Sequence, residues 1–176
     1  MQTANIQFLS TLIYLGLIFA SVIISVIGSM AMISFLARKK IDVKEEIVCN
    51  RNVGMALVLG SFTWTIGRMC FQSIKPIMNI WYDRFASGFT FKPLVSFFVG
   101  IVGSLLAAIF IGAVTVYFSI KILTVITKDI NEWEEMKRGN VAVGIVISIT
   151  VIVAGIFFES IVSYIVMRIF DKIYAT

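Results

Sequence analysis

Four long apolar runs, separated by short polar ones, organise this chain. The first extends from about Gln7 to Leu36, and no charged side chain precedes Arg38. The second, about Val53 to Ile74, is the weakest because Arg68 and Gln72 interrupt it. The third opens at Pro93, a suitable first-turn residue, and carries no charge until Lys121. The fourth, about Val141 to Met167, contains Glu159. Each run can cross roughly 30 Å of hydrocarbon as a helix. None alternates apolar and polar residues as barrel strands do.

The runs also repeat. Asn52-Val53-Gly54 opens the second and Asn140-Val141-Ala142 the fourth. In that register Ala56 meets Gly144, Gly60 meets Ser148 and Gly67 meets Gly155. In the first and third runs Gly16 meets Gly103, Ala20 meets Ala107, and Ser25 meets Gly112. Matches among small residues are informative because helix packing decides where small residues must fall. Two crossings per copy return the chain to its starting side, so the copies run parallel. The expected fold is an all-α membrane protein: two helical hairpins, residues 1–92 and 93–176, about a pseudo-two-fold axis along the membrane normal.

Composition excludes a soluble domain. With 59% hydrophobic residues, 14% charged and a mean hydropathy of +0.98, a chain this short cannot hide its apolar surface from water. The net charge of +5 does not indicate nucleic acid, because the basic residues flank the apolar runs, where topology and anionic lipid account for them. Five Lys and Arg lie in the first connection and four in the third; the N-terminal tail has none, the middle connection three and the C-terminal tail two. That bias places the first and third connections in the cytoplasm and both termini outside a cell inner membrane. The first run ends in Arg38-Lys39-Lys40 without a small-residue cleavage pattern, so it reads as a retained helix. Cys49 and Cys70 stand at opposite ends of one expected helix, about 30 Å apart, and read as two free thiols.

The segment Glu132-Trp133-Glu134-Glu135-Met136-Lys137-Arg138-Gly139-Asn140-Val141-Ala142-Val143-Gly144 resembles the signature of domain-of-unknown-function family 350. The resemblance implies a tandem pair of two-helix units, each with an acidic stretch followed by Gly-Asn and small apolar residues. Copy one departs from it, with Cys49-Asn50-Arg51-Asn52 where Lys/Arg-Gly-Asn belongs. The family brings no established activity with it.

Several residues depart from the apolar background. Asn52 and Asn140 suit the role of caps where a helix enters the membrane, with Gly139 supplying positive φ; the alternative is a paired polar gate. Gly100, Ser104, Ala108 and Gly112 recur every four residues along the third run, a ridge for close packing within or between protomers. Gly16, Ala20, Gly60, Gly67, Gly144 and Gly155 are read as packing positions too. Residues 128–138 continue the periodicity of the third run, which predicts a helix emerging with one face against the other hairpin. Trp81, Tyr82, Phe85, Phe89 and Phe91 suit an interfacial aromatic belt, or a docking surface. Arg68 and Glu159 are ionisable groups inside apolar runs, functional candidates by default; both fall late in their runs, so the plainer reading is an interfacial position near the outer face. The repeat register sets them about one turn apart on equivalent helices, so they are expected to approach each other near the outer leaflet, within or between protomers.

Chemistry is scarce. The chain has no histidine, hence neither the commonest general base nor the commonest metal ligand. No nucleophile motif of the Ser-x-x-Lys or Gly-x-Ser-x-Gly type occurs. No catalytic residue, metal or cofactor is expected. The reading is a non-enzymatic scaffold or assembly subunit of a prokaryotic envelope, in the lipid bilayer, as a homo-oligomer or with an envelope protein partner. The alternative is an ion- or proton-conducting channel or stator-like subunit.

Overall fold

A computed structural model describes residues 2–37, 41–85, 91–128 and 131–175. Its helices are α1 (Gln2–Leu36), α2 (Val53–Phe85), α3 (Phe91–Ile126), α4 (Glu132–Lys137) and α5 (Val141–Ala175), with a π-helical turn at Glu45–Cys49 before α2. No strand occurs among the described residues. Four of the helices, α1, α2, α3 and α5, are long and apolar enough to cross a membrane. The end of the bundle that holds the π-turn and α4 is called basal below, and the opposite end distal.

The sequence set α2 too short. It continues to Phe85 through Pro76, because a buried helix with neighbours tolerates the ring that would break an isolated one. The Lys75–Lys92 connection is therefore helical as far as Phe85 and again from Phe91. Of the expected aromatic belt, Phe89 and the side chains of Trp81, Tyr82, Phe85 and Phe91 lie outside the described residues. Nor does α3 continue through residues 128–138. It ends at Ile126, and Asn131, with extended backbone (φ −88°, ψ 95°), starts the separate helix α4 by accepting from the Glu134 N–H. Short polar side chains of this kind compete with helical continuation.

Two apolar clusters fill the bundle. The distal one gathers Ile66, Met69 and Ile74 of α2 with Phe97 and Ala108 of α3 and Val162 of α5. The basal one gathers Met55, Val58 and Phe62 with Ile33, Val116, Met136 and Ile147. Helix α2 feeds both. Half of its span is buried, against 11% for α1. The least apolar span is thus the central one: its polar residues meet protein rather than lipid, while Phe19, Phe35, Phe110 and Phe157 cover the outside.

Helix α2 packs extensively on α1, α3 and α5, and α3 on α5, whereas α1 meets α3 only lightly. A two-fold exchanging the hairpins would match the α2–α3 packing with equally extensive packing of α5 on α1. The described residues do not form it.

The α2–α5 crossing is the tightest. A Cβ on Gly144 would stand 2.6 Å from the Gly54 Cα, and one on Gly155 would stand 2.9 Å from the Thr65 side chain. On α3, Gly100, Ser104, Ala108 and Gly112 are all buried, and a Cβ on Gly112 would lie 3.3 Å from Ile66. Gly67 lies beside Ser25 of α1, and Ala20 is half-buried. Gly16 and Gly60 depart from the expectation, since both are exposed and a Cβ on either would meet nothing within 4 Å. Helical periodicity explains this: Gly16 falls opposite buried Ser25, and Gly60 opposite the Val58–Phe62–Ile66 face.

Candidate functional site

Two places bring the polar residues together: the middle of the α2–α5 crossing and the basal hairpins. At the first, Gly155 and Thr65 draw the helices close, and one turn further on their side chains can bridge. Arg68 Nη2 lies 2.8 Å from Glu159 Oε1, and Nε lies 2.8 Å from Oε2. This is a two-pronged guanidinium–carboxylate pair, the strong form of the contact. It closes within one chain. Glu159 is the more enclosed partner, at 15% side-chain exposure against 38% for Arg68. The outer face of the guanidinium is flanked by Trp64, whose ring centroid lies 5.8 Å from Arg68 Cζ.

The hydroxyls of the bundle are engaged locally. Ser21, Ser25, Ser29, Ser61, Ser73, Ser104, Thr115, Ser119 and Ser148 each donate to a carbonyl three or four residues back in their own helix. Thr65 instead reaches across to the Val151 carbonyl at 3.4 Å.

At the basal end the two hairpins enter the membrane in parallel ways. In the second, the Gly139 N–H donates to the Met136 carbonyl and the Asn140 N–H to the Glu135 carbonyl, with Gly139 at φ +86°. That pattern closes α4 with a left-handed residue just past its end. The Asn140 side chain then donates to the Glu135 carboxylate at 3.1 Å. In the first, Asp42 caps the turn by accepting from the Lys44 and Glu45 N–H groups. The Asn50 N–H donates to the Glu45 carbonyl and the Asn52 N–H to the Glu46 carbonyl. The wider π-turn takes up one extra residue there. Arg51, at φ +52°, occupies the place of Gly139.

The two asparagines differ in reach. Asn140 is exposed. Asn52 is buried; its amide donates to Glu46 Oε2 at 3.2 Å and to the Met136 carbonyl at 2.7 Å, while its oxygen caps α2 through the Met55 N–H. It therefore ties hairpin one to the end of α4. Sequence reasoning missed two members of this region. Glu46 and Glu132 are each 5% exposed, the first held by Asn52 and the second by the Thr127 hydroxyl. The signal available was the spacing of Glu46 from Asn52, parallel to that of Glu135 from Asn140. Among the described residues no group of three His, Cys, Asp or Glu side chains could hold a metal ion. Cys49 is exposed and Cys70 buried, both as free thiols.

The left-handed position gives a directional expectation. A side chain there costs about 1–2 kcal/mol, so Arg51→Gly should leave the protein as stable or raise stability by up to about 1 kcal/mol. Gly139→Val should lower it by at least that much, as read by thermal unfolding in detergent.

No curated protein and no solved structure matches the chain. The family model described as Domain of Unknown Function (DUF350) matches residues 94–173; this stretch runs from near the start of α3 to near the end of α5, and the second hairpin of this chain is similar to that family.

Proposed function

We propose that this protein is a non-enzymatic scaffold or assembly subunit of a prokaryotic inner membrane, built from two hairpins of common origin and working as an oligomer or with an envelope protein. The observation that carries the reading is the use made of the polar residues. The Arg68–Glu159 pair closes inside one chain, and the buried hydroxyls donate to their own helices, Thr65 excepted. Polar groups engaged in a closed ion pair or within their own helices leave little to conduct an ion. The paired arrangement of Asp42–Asn52 and Asn131–Asn140 supports the common origin of the hairpins, whatever asymmetry α1 has since acquired.

Flux through proteoliposomes tests the proposal against its rival, a channel or stator-like subunit using the same charges. A scaffold should pass protons and monovalent cations at the rate of empty liposomes. A conductance abolished by Glu159→Gln would establish the channel instead.

The Lys and Arg bias supports a cytoplasmic basal end with both termini outside. Cys49 is the natural probe, being exposed at that end. A membrane-impermeant maleimide should label it in lysed but not in intact cells. Labelling in intact spheroplasts would reverse the orientation.

A further inference from the structure

At the basal end the last turns of α1 and α3 line, with α4, a groove of about 820 Å³. Part of its wall is apolar and aromatic: Phe35 and Leu36 from α1, Tyr117 and Ile120 from α3. Its rim carries Lys121, Lys128 and Lys137, all exposed. Two carboxylates line it as well. Glu132 is buried and Glu134 exposed, so the described lining carries three ammonium groups against two carboxylates. Lys121 lies 5.9 Å from the centroid of the Tyr117 ring, which places a cation directly beside the apolar wall.

The groove also opens onto the membrane-facing surface. Phe35, on its wall, is 69% exposed and Tyr117 36%. A ligand in it would therefore meet cations and exposed apolar side chains together. Basic pockets between membrane helices suit acidic lipid headgroups, and lysine binds phosphate as a compact charge. We propose that this groove binds an anionic phospholipid, its phosphate between Lys121 and Lys128 and an acyl chain along Phe35 and Tyr117. Free phosphate offers the same headgroup chemistry but would leave the apolar wall uncovered. The proposal needs only that the four helices span a membrane, and holds for scaffold and channel alike.

The test is thermal unfolding of the full chain in neutral detergent, with phosphatidylglycerol, phosphatidylcholine or inorganic phosphate added. Phosphatidylglycerol should raise the melting temperature by several degrees, phosphatidylcholine by at most about a third as much, and inorganic phosphate at equal concentration should not reproduce the rise. Lys121→Gln with Lys128→Gln should abolish the preference. Lys44→Gln with Arg51→Asn removes as much charge at exposed positions outside the groove and should preserve it. Equal loss from both double variants would mean diffuse attraction and would overturn the site, as would a rise matched by inorganic phosphate. If the groove variant does not fold, native mass spectrometry of the wild type and of Lys128→Gln alone reads the same site. The single variant should retain at most about a third of the wild-type phosphatidylglycerol, given the usual contribution of one lysine near an anionic lipid, and equal retention would overturn the proposal.

Discussion

Arg68→Met should destabilise the protein more than Arg68→Met and Glu159→Gln together. The single change strands a carboxylate that is only 15% exposed against α2, and removing one partner of an enclosed pair costs more than the pair itself contributes. Glu159→Gln should cost less than Arg68→Met, because Arg68 is 38% exposed and a long cationic side chain can turn toward water or headgroups. The partial exposure of the arginine also limits the coupling, which should be about 1–2 kcal/mol in a double-mutant cycle on thermal unfolding in detergent. Additive effects would show that the two groups contribute separately. Coupling in stability without any change in flux would strengthen the scaffold reading, since it would assign the pair to holding α2 against α5.

The second large effect is expected at the basal crossing of the same helices. Gly144→Ala places a methyl group 2.6 Å from the Gly54 Cα and 2.7 Å from its carbonyl oxygen, where neither backbone can yield without moving a helix. Overpacking of this kind costs about 1–3 kcal/mol for a methyl group, and Gly144→Leu should prevent folding. Gly155→Ala should cost less, because the obstacle there is the Thr65 side chain, which can change rotamer. Gly16→Ala and Gly60→Ala are the matched controls. A Cβ at either meets nothing within 4 Å, and alanine favours a helix interior by about 0.5–1 kcal/mol. A chain that tolerates Gly144→Ala as well as Gly60→Ala would not have the α2–α5 crossing described here. Yields of folded protein and melting temperatures in one detergent decide the matter.

How far the sequence could be read follows from what each signal depends on. Span number and type were legible because lipid forces every segment to satisfy its own backbone, so apolar length alone decides. The approach of Arg68 to Glu159 was legible because two costly charges in one register have few other partners. Which small residues pack was legible only in part. Gly144, Gly155 and the Gly100–Gly112 ridge face neighbours, while Gly16 and Gly60 do not, and composition cannot tell which side of a helix has a neighbour. The length of α2 was hidden by Pro76, whose effect depends on burial. The break between α3 and α4 was hidden for a related reason: Ile122, Ile126 and Trp133 keep a helical period across a turn that Asn131 marks locally as the cap of α4. Buried Glu46 and Glu132 were hidden because an acidic stretch at a helix end ordinarily points to solvent, and only their partners Asn52 and Thr127 show otherwise.

The ion pair also sets a timetable for biogenesis. Arg68 and Glu159 are separated by 91 residues, which a ribosome takes about 5–20 s to add. Throughout that interval α2, the least apolar of the four spans, carries a guanidinium without the carboxylate that will neutralise it. It must therefore wait in the insertion machinery or with its charge at the membrane surface, while α1, which depends on its neighbours for little burial, can enter the bilayer alone. Completion of α5 delivers the counter-charge and the glycine face together, so the central helix, which also packs on α1 and α3, gains its tightest contact and its counter-ion only when the last of the four spans is made.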